Sequence, residues 1–196
     1  MITILNFRAL LISVVLAFLS SLVLAAPIAL PLNAQTSFRQ AVYNNYSKEM
    51  ERGGYSDVIK DGIKPKLRIL DCLGERCLLE VVTSPDAPGF DSQLFLISIR
   101  DNALVGKMMG IPTYGRATVK AAFLTLDAGK TPNAIYVMSR THMGTIAEQL
   151  FDVINPNNQV AMQTFYNKKL QDKEGQTTYF AKTRLALRKI GRPVEF

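Results

Sequence analysis

The first 35 residues, the next 20 and the remainder of the chain follow three different hydrophobic patterns. "MITILNFR" leads into "ALLISVVLAFLSSLVLA", Ala9 to Ala25, an apolar block preceded by a single charged side chain, Arg8. "TSFRQAVYNNYSKEMERGG", Thr36 to Gly54, sets Phe38, Val42, Tyr46 and Met50 at intervals of four. That stripe predicts an amphipathic helix, with Ser37 placed to cap it and Gly53-Gly54 to end it. From Leu67 the pattern changes to short β-like runs: "LRILDCL", "CLLEVV", "LFLISI", "ALVGKMMGI", "ATVKAAFLTL" and "AIYVMS". Turn-prone segments ("LGER", "TSPDAPGFDSQ", "RDN", "PTYGR", "AGKTPN") separate them. Breaks at intervals of roughly ten residues predict antiparallel strands in a sandwich or barrel.

Two later stretches depart from this rhythm. In "MGTIAEQLFDVIN", Ile146, Leu150 and Val153 fit one helical face behind Thr145 as a cap, which predicts a short helix near 145–154. "QVAMQTFYNKKL" reads both ways: Val160, Met162, Thr164 and Tyr166 alternate as in a strand, while Met162, Phe165 and Lys169 fit a helix. "LQDKEGQ" suits a turn. In "TTYFAKTRLALRK", Tyr179, Ala181, Thr183, Leu185 and Leu187 form one face and Lys182, Arg184 and Arg188 the other. This predicts a C-terminal hairpin with a basic outer face. The expected fold class is mainly β to α+β: an antiparallel, sandwich-like domain with an N-terminal helix and the short helix near 145–154.

The apolar N-terminal block reads as a secretory signal peptide. "VLA|A" places Val23 and Ala25 where a signal peptidase reads, and "PLNA|Q" offers a second site after Ala34. The expected organisation is a signal peptide over 1–25, or to 34, and a single exported domain over 35–196. The alternative is an uncleaved membrane anchor, because the block approaches the roughly 18–20 residues that span a bilayer. No Arg-Arg pair precedes the block and no cysteine lies near either cleavage site, so twin-arginine export and lipoprotein attachment are not expected. The expected location is periplasmic or secreted.

Cys72 and Cys77 are the only cysteines of the 196-residue chain. Export puts them where disulfides persist. Four intervening residues is not the C-x-x-C redox spacing, and two cysteines with the one histidine, His142, fall short of the four ligands of structural zinc. A structural disulfide across a tight hairpin is the remaining reading, with Gly74 supplying positive φ in the turn. Leu67, Ile69 and Asp71 alternate with Arg68, Leu70 and Cys72 on the approach to it.

Charge is unevenly placed. Residues 35–162 carry 14 Lys/Arg against 13 Asp/Glu, whereas residues 163–196 carry 8 against 3. The excess makes Lys182, Arg184 and Arg188 candidates for contact with an anionic surface. An exported chain argues against nucleic acid as the partner. An anionic envelope component or another protein is expected instead, and a membrane if the N-terminal segment stays attached.

Little catalytic chemistry is legible. His142 lies beside Ser139 and Thr141, but no nucleophile-elbow motif surrounds them. Phosphate-binding glycine motifs are absent, and the carboxylates are scattered. Met108-Met109 have no further methionine or histidine cluster to form a copper site and are read as core. "NYS" at Asn45 is formally a glycosylation sequon. No catalytic residue, metal or cofactor is assigned.

"LRILDCLGERCLLEVV" resembles the first cysteine pair of the invasion-associated locus B family of small exported bacterial proteins. "GIPTYG…FLTLDAGK", "GTIAEQLFDVI" and "TRLALRKIG" resemble later stretches of the same family, and together they span about Leu67 to Gly191. The chain departs from the family where its second cysteine pair would fall, at Ser139 and Thr145, and it has no Trp. The resemblance implies an exported, β-rich, non-catalytic protein and carries over no functional residue. The function expected is therefore an exported accessory or binding protein of the cell envelope. The alternatives are an envelope hydrolase with a spatially assembled site and a membrane-anchored structural protein.

Overall fold

The computed structural model describes residues 30–52, 65–83, 92–125, 133–141, 143–166, 169–174, 180 and 194–195. Among them are one long helix, α1 (Leu32–Arg52), and ten strands: β1 (Lys66–Leu73), β2 (Arg76–Val82), β3 (Ser92–Arg100), β4 (Ala103–Ile111), β5 (Ala117–Leu124), β6 (Ala134–Arg140), β7 (Ile146–Asp152), β8 (Gln159–Tyr166), β9 (Lys169–Glu174) and β10 (Val194–Glu195). All pairings are antiparallel. The strands form two five-stranded sheets, ordered β10-β1-β2-β3-β4 and β5-β6-β7-β8-β9. Each sheet is a meander of sequential hairpins, and only β10 returns from a distance, to pair with β1. The mainly β, sandwich-like class expected from the sequence is the class observed.

The apolar residues sort into three layers. Phe38, Val42 and Tyr46 of α1 pack with Leu67, Ile69, Cys72, Cys77, Leu79, Val81, Phe95 and Ile97 on the outer face of the first sheet. Between the sheets, Leu70, Leu78, Leu94, Leu96 and Ile111 meet Ala121, Phe123, Ile135, Val137 and Phe151. On the far face of the second sheet, Tyr136, Leu150 and Ala161 pack with Phe180. Both faces of the central strands are therefore covered, and β2 and β7 are almost entirely buried.

The helix carries the expected stripe but begins earlier than its cap-like Ser37 implies. It starts at Leu32, so Ser37 lies inside it. Pro31 opens it: its carbonyl accepts the Ala34 and Gln35 amides at 2.9 and 3.2 Å, and the Gln35 side chain donates back to the Leu30 carbonyl at 3.1 Å. Leu30 is buried in the same core, so the folded unit includes residues ahead of position 35. Tyr46 meets Phe95 edge to face at 6.0 Å, and the Tyr43 hydroxyl donates to the Pro65 carbonyl at 2.9 Å. The expected stop at Gly53-Gly54 lies outside the described residues.

The helix expected near 145–154 is a strand. Ile146–Asp152 pairs with β6 on one side and β8 on the other. Its sequence mimics a helix because Glu148 and Gln149 look like a solvent face, yet both are buried and hydrogen-bonded. A strand covered on both faces need not alternate apolar with polar. The ambiguous stretch after it resolves as strand β8. "LQDKEGQ", expected as a turn, supplies β9, paired with β8 from Tyr166↔Lys169 to Met162↔Glu174. Phe180 has helical backbone rather than the expected strand; the rest of the expected second arm of the C-terminal hairpin, 177–189, lies outside the described residues.

The turns behave as their residues dictate. The Leu73↔Arg76 pair closes on Gly74, whose φ is +58°. Asp101 and Asn102, at φ 50° and 63°, turn β3 into β4 as "RDN" predicts; such paired positive φ values suit a tight hairpin, and Asx residues tolerate them. Of the two methionines read as core, Met108 is buried and Met109 is 42% exposed, as alternation along an edge strand requires.

Candidate functional site

The cysteine hairpin is built as a staple. Cys72 and Cys77 are a directly opposed pair on β1 and β2, Cα atoms 4.1 Å apart and joined by a disulfide. Both face α1, within the core that holds Phe38 and Val42, and are 4% and 0% exposed. A thiol or metal therefore reaches the sulfurs only if α1 lifts from the sheet. Closing so short a loop stabilises by about 2 kcal/mol in the chain-entropy model. Changing both cysteines to alanine should lower the urea-unfolding free energy by about that amount, and the native disulfide should survive mild reductant that reduces it in urea. Rapid native-state reduction would show the helix does not cover it.

Immediately before the disulfide, β1 changes face. Ile69 opposes Leu79 and Asp71 opposes Leu78, so β1 holds one extra residue there. Such a bulge breaks strict alternation. It turns Asp71 inward, away from the side occupied by Leu67 and Ile69, and leaves Cys72 facing the helix. The Asp71 carboxylate accepts the Phe123 amide at 2.8 Å and the Cys72 amide at 2.9 Å. Phe123 belongs to β5, the edge of the second sheet. At the other end of β5, Glu80 is 2% exposed and bonded to Arg68 at 2.9 Å. The Ser92 hydroxyl and the Thr118 amide also bond to Glu80, and the Thr118 amide reaches Ser92 Oγ at 3.0 Å. Two acids of the first sheet thus satisfy amides along an edge of the second. Burial pushes the pKa of both carboxyls up; the amide bonds, and for Glu80 also Ser92 and Arg68, pull in the opposite direction.

A third buried acid serves the far face. Tyr136 Oη donates to Glu148 at 2.9 Å, and Gln163 Nε2 donates to its other oxygen. At 3% exposure, in a layer closed by Phe180, this cluster is shut off from solvent. It is a buried polar network with its partners supplied, which specifies strand register.

The open site lies where β4 crosses to β5. Pro112–Arg116 bridges the two sheets, and its backbone is tied down by side chains of the second. The Tyr114 amide donates to Gln149 Oε1 at 2.7 Å, and the Gly115 amide to Ser139 Oγ at 3.0 Å. Gln149 Nε2 in turn bonds Gln159 Oε1 at 2.6 Å and the Pro112 carbonyl at 3.4 Å. The Arg116 amide donates to the Arg140 carbonyl at 3.1 Å. Gly115 sits so close to Arg140 that a Cβ would fall 2.7–2.8 Å from its backbone atoms, so only glycine fits. Beside this clamped bridge is a cleft of about 630 Å³. Its lining runs from Tyr46 of α1, across Gln93, Phe95 and Gly110, to Tyr114, Arg116 and Asn157. Tyr114 and Arg116 are exposed on its rim. Among the described residues that line it, hydroxyl, amide, aromatic and guanidinium groups occur without a carboxylate or imidazole. Because the amides of 114, 115 and 116 are all engaged within the fold, side chains rather than an amide nest must contact a ligand.

The sequence candidates fare unequally. His142, Lys182, Arg184 and Arg188 lie outside the described residues. Ser139 is fully buried and its oxygen accepts the Gly115 amide; Thr141 Oγ1 accepts the Thr145 amide at 3.1 Å. Both hydroxyls serve the backbone. Asn45 lies within α1, its amide donating to the Ala41 carbonyl at 2.9 Å. Among the described residues no group of His, Cys, Asp and Glu could hold a metal ion, and no helix is long and apolar enough to cross a membrane. The cleft was not legible in advance: its residues come from α1, β3, β4 and three loops, and "GIPTYGR" signals only a turn. Comparison with family models, curated proteins and solved structures found no match to this chain.

Proposed function

We propose that the protein is an exported, non-catalytic binding protein of the cell envelope, and that its ligand, an anionic envelope component, seats in the cleft beside the β4–β5 bridge. The observation that carries the reading is the make-up of that cleft: a positive guanidinium, planar amides and exposed tyrosine on a backbone held rigid by Gln149 and Ser139. Preorganised surfaces of this kind bind without first ordering a loop. The apolar leader and the buried disulfide support export. The net charge of +7 favours an anionic partner. The resemblance to the invasion-associated locus B family agrees with an exported, non-catalytic role. The basic residues Lys182, Arg184 and Arg188 would extend the same attraction.

The test is binding of the oxidised protein to isolated anionic envelope polymers, followed with increasing salt. The affinity should fall steeply with salt. Arg116→Gln and Tyr114→Ala should each weaken binding by about tenfold, in line with the roughly 1–2 kcal/mol of an interface side chain, without altering the melting temperature. Salt-independent binding, or variants that bind like the parent, would remove the cleft from this role.

A further inference from the structure

We infer that the ligand of the cleft is an acidic glycan, a hexuronate chain that lays one sugar ring on Tyr114 and turns a carboxylate to Arg116. This rests on the binding role proposed above and adds the chemical class of the ligand.

Tyr114 is presented to solvent by a backbone that is fixed on either side of it. Its own amide donates to Gln149 Oε1 at 2.7 Å. Thr113 Oγ1 donates across it to the Gly115 carbonyl at 3.1 Å, and Gly115 is pressed against the Arg140 backbone, where no Cβ fits. The side chain nonetheless stays 52% exposed. A tyrosine has only two side-chain torsions to lose, so on a fixed backbone it offers contact area at low entropic cost. Its flat apolar ring with a hydroxyl at the tip suits a sugar, whose C–H bonds cover one face and whose hydroxyls surround the edge.

The rest of the cleft suits the edge of such a ring. Gln93 and Asn157 line it and are exposed. A carboxamide both donates and accepts, as neighbouring hydroxyls require. The Asn157 backbone amide donates to Asn155 Oδ1 at 3.3 Å, which holds that residue in place. Gly110 opposes Phe95, and an added Cβ would lie at an ordinary 3.9 Å from the Phe95 ring. The fold therefore tolerates alanine at 110. Glycine there keeps the cleft wall open, as it does in strands that a ligand approaches closely.

Other anionic ligands fit less well. A phosphate cradle uses free backbone amides or several cations. Here the amides of 114, 115 and 116 are engaged, and Arg116 is the one cation among the described lining residues. An extended peptide would add to β4, which ends its sheet among the described residues. Between the pairs Leu96↔Met109 and Ser98↔Val105, however, Ile97 of β3 faces Gly106, Lys107 and Met108 of β4, and Gly106 has a φ of +75°. A bulge and an edge lysine are what keep a further strand from pairing.

The experiment is calorimetric titration of the oxidised protein with a galacturonate oligomer, with the same oligomer after reduction of its carboxyls, and with inorganic polyphosphate; isolated anionic envelope polymer is run alongside. The acidic oligomer should bind, its reduced form about tenfold more weakly, and polyphosphate not at all. Tyr114→Ala should lower the affinity for both oligomers by about tenfold, and Tyr114→Phe, which keeps the ring, should recover most of it. Arg116→Gln should bring the acidic oligomer down to the level of its reduced form. Silent oligomers with the envelope polymer bound overturn the glycan and leave the anionic reading standing. Silence from the polymer as well overturns both. Polyphosphate that binds as tightly as the acidic oligomer, oligomers that bind Tyr114→Ala like the parent, or a reduced oligomer that binds as tightly as the acidic one each overturn the inference.

Discussion

Asp71→Ala should destabilise the protein by about 2–5 kcal/mol, because each buried amide left without its acceptor costs roughly 1–3 kcal/mol. Asp71 is 7% exposed, and its two oxygens serve two different elements, the Cys72 amide on its own strand and the Phe123 amide on β5. Alanine leaves both donors in an apolar surround that water does not reach. The loss should appear as a lower midpoint in urea with an unchanged slope. A change under 1 kcal/mol would show that water replaces the carboxylate.

The same residue carries a pH signature. Burial raises its pKa above the ordinary 3.8, and likewise raises that of Glu80 above 4.5. Between the ordinary and the raised value the folded protein holds a proton that the unfolded chain has released. Stability therefore falls as pH rises through that window and is level for these groups on either side. Glu75 works in the opposite sense: its hydrogen bond to Arg100 lowers its pKa, so its contribution is lost on acidification, but the pair is exposed and solvent screens it. Urea midpoints followed across this range should slope downward for the parent and less so for Asp71→Asn or Glu80→Gln. Equal slopes would mean that both carboxyls titrate as they do in water.

Phe151→Ala is the second large effect, about 3–5 kcal/mol for a buried aromatic. Phe151 is fully buried on the central strand β7, beside Ile135 on β6, and projects into the layer shared with Leu78, Leu94 and Leu96 of the first sheet. Its removal opens a hole on which both sheets border, and neither can close it without moving the other. Ile154, three residues on and 81% exposed, is the control; its change to alanine should stay within about 0.5 kcal/mol. Calorimetry that finds the two variants alike would mean the sheets do not share this core.

How much of this was readable depends on whether the signal is local. Strands β1–β6 follow from short apolar runs and from turn residues whose φ is set by their own chemistry, Gly74 and Asp101-Asn102 among them. The cysteine pair follows from its spacing together with the expected export, since each cysteine lies one residue beyond the Leu73↔Arg76 pair that closes the turn and the two therefore oppose one another. The stretch 146–152 misleads because Glu148 and Gln149 are inside; a polar residue buried against a partner 15 residues away, as Glu148 is against Gln163, looks from sequence like a surface residue. The bulge at Leu70 escapes for a similar reason. Strict alternation puts Asp71 with Ile69 and Cys72 with Leu70, and only the demand of Phe123, 52 residues distant, explains the reversal. The cleft is the least legible part, assembled from six segments that share no motif.

The pairing of β10 with β1 has a consequence for biosynthesis. Arg68 and Ile69 find their partners Glu195 and Val194 only once synthesis has passed residue 195. The second sheet, whose strands are consecutive, can form while that flank of the first still waits. A fusion or tag placed directly behind residue 195 would crowd β10.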